Sequence, residues 1–568
     1  MREIDRLTTG RHAVPSLLLM EAAADASARA VASLFPENFP DLRVLILCGR
    51  GNNGGDGAAL ARLLWTAGAT VEAVMLGRAE ETRGDARTNF EIARRLATAD
   101  DSGRLRFHEC PDGGGQWPQT GARLGGYDVL VDALFGTGLS RPLGGVFREA
   151  VAAVNSARAT RSTGAAPRPL VVSLDVPSGL DADSAHPIGD AVRADLTVTF
   201  TAPKPANVLP PASRLNGRLV VADIGSPASL VAEAPSQLFV TESDDARAWL
   251  QSTRYAPDSF KNTHGHALVF AGSRGMTGAA VLAARAAMRS GAGLVTVAAP
   301  ASAAAAVAAR VTPEVMTAGL AETPGGAFGR GAFDEAARLL ERADVVAVGP
   351  GLTTDEGTRA FVRSVVERRT TPVVVDADGL NCLAPWPAEL RGTPELPLVL
   401  TPHVGEMRRL VGAVEEDTAT TDSAASATTD REASATPDHS AGATADRVAL
   451  ARDFAAAHSL IVVLKGARTL VAAPDGRVFV NPTGNPGLGT AGSGDTLTGI
   501  ITGFIAQSRG AHKEAADVLA AVLAALYVGG AAGDLAAAER GVRSMVASDI
   551  TEHLGAAIRA LDPEGELP

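Results

Sequence analysis

Short apolar runs alternate with longer stretches of helical periodicity along most of this chain. Residues 44–47 are continuously apolar, Leu60, Leu63 and Leu64 recur at the spacing of one helical face, and residues 71–76 are again mostly apolar. Strand, helix and strand in that order predict a βαβ unit with two parallel strands. VLVDALF, LVVSLDV and ADLTVTF add further strands. Residues up to about 35 read as helical, with Leu17, Leu18 and Met20 beside Glu21.

The same order repeats in the second half. The apolar run of HALVFAG leads into a loop at 275–279, an Ala-rich helix from Ala280 onwards and a further strand in GLVTVAAP. DVVAVGPGL, PVVVDADGL, LVLTPHVGEM and IVVLKGARTL are further buried strands with short polar ends. Two α/β domains of doubly wound, three-layer type follow, with the boundary near 240, so that the domains span 1–240 and 241–568. Between 414 and 445 large apolar residues almost vanish, which predicts a disordered surface insertion ahead of a helix at 447–458.

Composition narrows the function. Of 568 residues, 46% are hydrophobic and 20% charged, a globular profile, while aromatics at 4% leave the cores to Ala, Val, Leu and Ile. The net charge of −12 argues against nucleic-acid and anionic-membrane partners, so an anionic substrate must be held by local amides and a few cations. Cys48, Cys110 and Cys382 show no ligand spacing and fit a reducing cytoplasm. The apolar run near the N-terminus is too short for a secretory signal, and no stretch reads as long enough to span a membrane.

Candidate chemistry gathers at strand ends. The loop 49–57 lies at the carboxyl end of the first strand, where such sheets bind ligands. It is neither GxGxxG nor a P-loop, and Asn52, Asn53 and Asp56 give it amide and carboxylate oxygens. Asp132 and Asp175 each end a strand ahead of a glycine- or serine-rich loop. Taken singly, each reads as a helix cap. Taken together, parallel strands deliver Asn53, Asp132 and Ser178 to one crevice, and hard oxygens of low total charge suit a monovalent cation. Lys204, after the next strand, is open to two readings, a solvated loop charge or a phosphate contact.

GNNGGDG, VDALFGTGLSRP and LDVPSGLDAD resemble the NAD(P)H-hydrate epimerase domain, the YjeF N-terminal family, over about residues 1–235. The resemblance implies a Rossmann-like fold. It implies that Asn52, Asn53, Gly54, Gly55 and Asp56, the loop Gly136, Thr137, Gly138, Leu139, Ser140, Arg141 and Pro142, and Asp175 contact the hydrated nucleotide. It also implies potassium at Asn53, Asp132 and Ser178. Asp175 is the candidate for proton transfer. This chain has Ala22 after Met20 and Glu21, where the family usually has arginine.

In NPGLGTAGSGD, small residues run up to Asp495, and Leu497, Ile500, Ile501, Phe504 and Ile505 then mark a helical face. Gly492 to Gly494 therefore enter a helix, where unpaired amides and the helix dipole make an anion site and Asp495 can serve as a base. A glycine turn with a capping aspartate is the plainer reading. GSRGMTGAA, GPGL, DADGL, TPHVGEM, KGART and NPGLGTAGSGD together resemble the ADP-dependent NAD(P)H-hydrate dehydratase family, over about residues 255–560.

That second resemblance implies a ribokinase-like fold. It implies that Ala279, Gly351, His403 and Asp495 contact the hydrated substrate, and that Lys465, Gly466, Ala467, Arg468, Thr469 and Gly494 contact the adenine nucleotide. Mg²⁺ would accompany ADP, with Asp376 and Asp378 either positioning the metal-bound nucleotide or capping turns. Dehydratases of this kind often form tetramers, so a homo-oligomer is expected. The whole reads as an enzyme that epimerises hydrated NADH and NADPH (NADHX and NADPHX) and then dehydrates the S epimer. The alternative is a ribokinase-like small-molecule kinase fused to a non-catalytic nucleotide-binding module.

Overall fold

The apolar runs read as strands in the first half all become strands. The computed structural model describes residues 1–111, 121, 123–159, 168–412 and 446–563. The stretch 414–445, expected to be a disordered insertion, lies outside the described residues. The chain divides into two units, Met1–Pro235 and Ser236–Pro568.

The first unit holds β1 (Arg43–Cys48), β2 (Thr70–Met75), β3 (Leu105–Glu109), β4 (Val129–Ala133), β5 (Leu170–Leu174), β6 (Leu196–Phe200) and β7 (Arg218–Ala222). They pair in the order β3-β2-β1-β4-β5-β6-β7, all parallel, with Val44 opposite Val71 on one side and Val129 on the other. Side chains of β1 alternate between two cores. Val44, Ile46 and Cys48 belong to one, Leu45 and Leu47 to the other. Both faces are therefore covered, which is why the strand reads as continuously apolar. The winding order reverses between β1 and β4, the place where such sheets bind ligands.

The second unit has β8 (Leu238–Val240), β9 (His266–Phe270), β10 (Leu294–Pro300), β11 (Met316–Leu320), β12 (Val345–Val348), β13 (Val373–Val375), β14 (Leu398–Leu400), β15 (Ile461–Leu464), β16 (Leu470–Ala472) and β17 (Val478–Val480). The sheet order is β11-β10-β9-β12-β13-β14-β15-β16-β17-β8. It is parallel from β11 to β15, and β16 runs antiparallel to both its neighbours. Because β8 lies beside β17, the division at 235 falls ahead of the expected 240.

Three expectations shift. Helix Asn52–Thr66 begins inside the glycine motif, so Asn52 to Gly57 are helical and not loop. Helix Thr277–Arg289 likewise begins inside the expected loop at 275–279. One helix, Val518–Arg540, is long and apolar enough to cross a membrane by length and composition, contrary to the reading from sequence. Its Ala521, Val522, Ala525 and Val528 are buried in the second unit's core with Phe504 and Leu554, so apolarity on most of its faces reflects packing between helices.

Candidate active sites of the two units

Asn53 stands in the first turn after β1, Asp132 inside β4, and Asp175 just past β5. These three strands are neighbours, so their carboxyl ends share one edge. Only glycine fits at position 54, because a Cβ there would stand 1.9 Å from the Gly49 carbonyl oxygen. That contact brings the helix start onto the strand end. Gly55 packs in the same way against Ala86 and Met20.

Asp132 caps no helix. Its Oδ1 accepts from Ser178 Oγ at 2.5 Å, and its Oδ2 accepts from the Ser178 amide and from Ser173 Oγ, each at 2.8 Å. Burial pushes this carboxyl up, and the hydrogen bonds from Ser178 and Ser173 oppose the shift. The Phe135 amide donates to Ser178 Oγ at 2.9 Å and ties the 136–142 loop to the same group. The Asn53 side-chain amide is buried with neither polar atom bonded. The unbonded Asn53 oxygen, with the Asp132 carboxylate and the Ser178 hydroxyl, supplies hard oxygens of the type that suit K⁺.

Asp175 has a left-handed backbone with φ of 65°. Its Oδ1 accepts from Lys204 Nζ at 2.5 Å and from Thr199 Oγ1 at 3.2 Å. Lys204 is neither solvated nor free for a phosphate, since its ammonium also bonds Thr199 Oγ1 and the Phe200 carbonyl. A Cβ on Gly136 would lie 2.9 Å from Asp175 Oδ2 and 3.5 Å from Asn53 Oδ1, so those three positions converge.

Around them opens a cavity of about 970 Å³, lined by Asn52, Asn53, Asp56, Gly136, Thr137, Gly138, Leu139, Arg141, Pro142, Asp175 and Lys204. Asp132 and Ser178 lie outside that lining, as do Gly54, Gly55 and Ser140. Burial pushes the Asp56 carboxyl well above its ordinary range, and the charges of Asp175 and Asp5 add to the shift. The sequence hint for Lys204 was Thr199, a hydroxyl inside a buried apolar strand.

In the second unit the loops after β9, β12, β13, β14 and β15 meet at one sheet edge. Gly351 has φ of 65°, and a Cβ there would stand 3.0 Å from Ala279 Cβ, so these two positions abut. Asp376, at the end of β13, accepts from Lys465 Nζ at 2.7 Å and from Thr498 Oγ1 at 2.6 Å. Lys465 is thus partly buried and paired. Burial pulls its ammonium down, but Asp376 and Glu406 outweigh that, and the net shift is upward. Gly494 lies against this pair, with a Cβ position 3.5 Å from Lys465 Nζ.

Asp495 occupies the first turn of helix Ser493–His512, entered through Gly492 at φ 84°. Burial, reinforced by Asp376, pushes its carboxyl up to about 6. His403 Nδ1 accepts from the amides of Gly405 and Glu406, so His403 caps helix Val404–Leu410 while its ring stays about half exposed. Asp378 accepts from the Thr353 amide, a turn-holding role. The 465–469 loop is braced by Arg447, which donates to the Ala467 carbonyl, and by Thr469, which donates to the Gly466 carbonyl.

Two sheets, one parallel and one mostly so, each with polar side chains converging at its carboxyl edge, define a two-unit α/β enzyme. Residues 16–206 match the family model described as YjeF-related protein N-terminus, and residues 267–555 match the model described as NAD(P)H-hydrate dehydratase. A bifunctional NAD(P)H-hydrate repair enzyme of Moorella thermoacetica is 40% identical over 100% of this chain and 97% of its own length. One from Thermofilum pendens is 36% identical over 99% and 96%. The crystal structure of an ADP/ATP-dependent NAD(P)H-hydrate dehydratase from Bacillus subtilis, co-crystallised with ATP and Mg²⁺, is 30% identical. It covers 57% of this chain and 99% of that one, with a TM-score of 0.44. The chain belongs to the family of bifunctional NAD(P)H-hydrate repair enzymes.

Proposed function

We propose that the first unit interconverts the R and S epimers of hydrated NADH and NADPH through Asp175. The second unit then dehydrates the S epimer, with ADP as phosphoryl donor and AMP and phosphate as products. The observation that carries this reading is Asp495, a carboxyl poised at about 6 in the first turn of a helix, beside the Lys465–Asp376 pair.

Hydroxide is a poor leaving group, and phosphorylating the ring hydroxyl turns it into phosphate. Asp495 takes the hydroxyl proton, and the amides at the helix start stabilise the transferring phosphoryl group. Lys465, with its ammonium anchored on Asp376, adds positive charge at the same helix start. Among the described residues, no group of three His, Cys, Asp or Glu could hold a metal ion. Asp376 and Asp378 are engaged by Lys465, Thr498 and Thr353. Mg²⁺ would accompany the nucleotide phosphates.

In the first unit Asn53, Asp132 and Ser178 would hold K⁺, which would supply a fixed positive charge there. The unbonded buried amide of Asn53 supports that placement. Cys48 and Cys382 carry free thiols, which supports a reducing cytoplasm. The test follows reduced-nicotinamide absorbance from a mixed-epimer hydrate with ADP or ATP, with and without K⁺. Full recovery is expected with ADP and K⁺. Accumulation of a phosphorylated hydrate without NADH would refute the dehydratase reading.

A further inference from the structure

The family model begins at residue 16, yet Met1, Arg2 and Asp5 also line the first unit's cavity. They come with helix Arg2–His12, seated by its buried Ile4 and Thr8 and tied at its far end by Arg11 to Glu233 at 2.9 Å. Arg2 and Asp5 are three positions apart and share a helical face. Arg2 Nη2 donates to the Thr137 carbonyl at 2.6 Å, inside the loop that borders the cavity. Asp5 meets the same space as Asp56, Asp175 and Lys204.

We propose that this helix completes the epimerase site, with Arg2 and Asp5 as positioning residues. Arg2 holds the 136–142 loop over the bound nucleotide. Asp5 adds negative charge to the end of the cavity that takes the hydrated ring. The inference rests on the epimerase reading above.

The chemistry explains why that charge matters. Hydrating the reduced ring puts a hydroxyl on the carbon next to the ring nitrogen. When that oxygen is protonated, the C–O bond breaks, water leaves, and the nitrogen lone pair forms a C=N bond. The ring is then a cation. Water adds to the opposite face and gives up a proton, which restores the hydrate with inverted configuration. Asp5, Asp56 and Asp175 all line the cavity, and a carboxylate beside the ring favours its cationic form. Burial pushes the Asp5 carboxyl up, the Met1 ammonium and then Lys204 pull it down, and Asp175 pushes it up again, so these groups share one field.

The test uses the full chain. Conversion of R to S hydrate is followed by chiral chromatography without ADP, and dehydration of the S epimer with ADP is the internal control. R2A raises the epimerisation KM by at least about fivefold with kcat nearly unchanged, and R2K restores most of it. D5N lowers kcat by about tenfold or more with KM nearly unchanged. Dehydration is unaffected in all three. The proposal is overturned if R2A and D5N both keep wild-type kcat and KM, or if both units lose activity in parallel. A wild-type chain that does not epimerise would instead sink the underlying reading.

Discussion

Lys204 donates to Asp175 Oδ1 at 2.5 Å and leaves Oδ2 facing Gly136. One oxygen of the carboxylate is thus committed to holding the group in place, and in the proposed epimerisation the other is the one presented to substrate. K204M should lower epimerase kcat by roughly a hundredfold with little change in KM, since it frees Asp175 to rotate without removing it. K204R should recover part of the loss. Steady-state epimerisation kinetics check this, and a K204M enzyme with wild-type kcat would show that Asp175 needs no such anchor.

Gly136 makes a steric prediction. Its φ is not left-handed, so alanine meets no backbone penalty there, yet the new methyl would stand 2.9 Å from Asp175 Oδ2. G136A should fold normally and lose most epimerase activity. Unfolding curves that match wild type, combined with intact epimerisation, would mean that Oδ2 is not the reacting atom.

Asp495 gives a pH dependence with a definite sign. As a base it must be ionised, so dehydration kcat should rise with pH through about 6 and level off above it. D495N should abolish dehydration while leaving epimerisation unchanged. The same shift bears on stability. A carboxyl raised from 3.8 to about 6 in the fold contributes stability below the lower value, which is lost as pH rises through the upper one. D495N should therefore stabilise the second unit at pH 8 by something on the order of 2 kcal/mol, with the gain shrinking towards pH 4. Thermal melts at the two pH values measure it.

Much of this arrangement was legible in the sequence, for physical reasons that differ by residue. Strands β1, β4 and β5 are buried on both faces, so they read as mostly apolar runs, and parallel winding then brings Asn53, Asp132 and Asp175 to one edge. The helix start at Gly492 to Asp495 was equally plain, because small residues yield abruptly to a 3.6-residue period. Lys204 and Lys465 were not legible. A lysine after a strand looks solvated, and only the three-dimensional approach of Asp175 or Asp376 makes it an ion-pair partner. Arg2 and Asp5 carried no motif at all. Their role depends on where a helix lies against a distant loop.

The pairing of Lys465 with Asp376 also sets what the second unit can tolerate. Asp376 is 1% exposed, and both its oxygens depend on donors, Lys465 on one side and Thr498 on the other. Removing the lysine strands a buried carboxylate, which typically costs about 3 to 5 kcal/mol. K465M should therefore lower the melting temperature of the second unit as well as its dehydratase rate. Removing both charges in K465M/D376N should return most of the stability and none of the activity, because the isolated charge is gone while the nucleotide site still lacks its cation. Calorimetry and dehydration assays on the single and double variants separate the two effects. A double variant no more stable than K465M would show that the pair does not hold the second unit's fold.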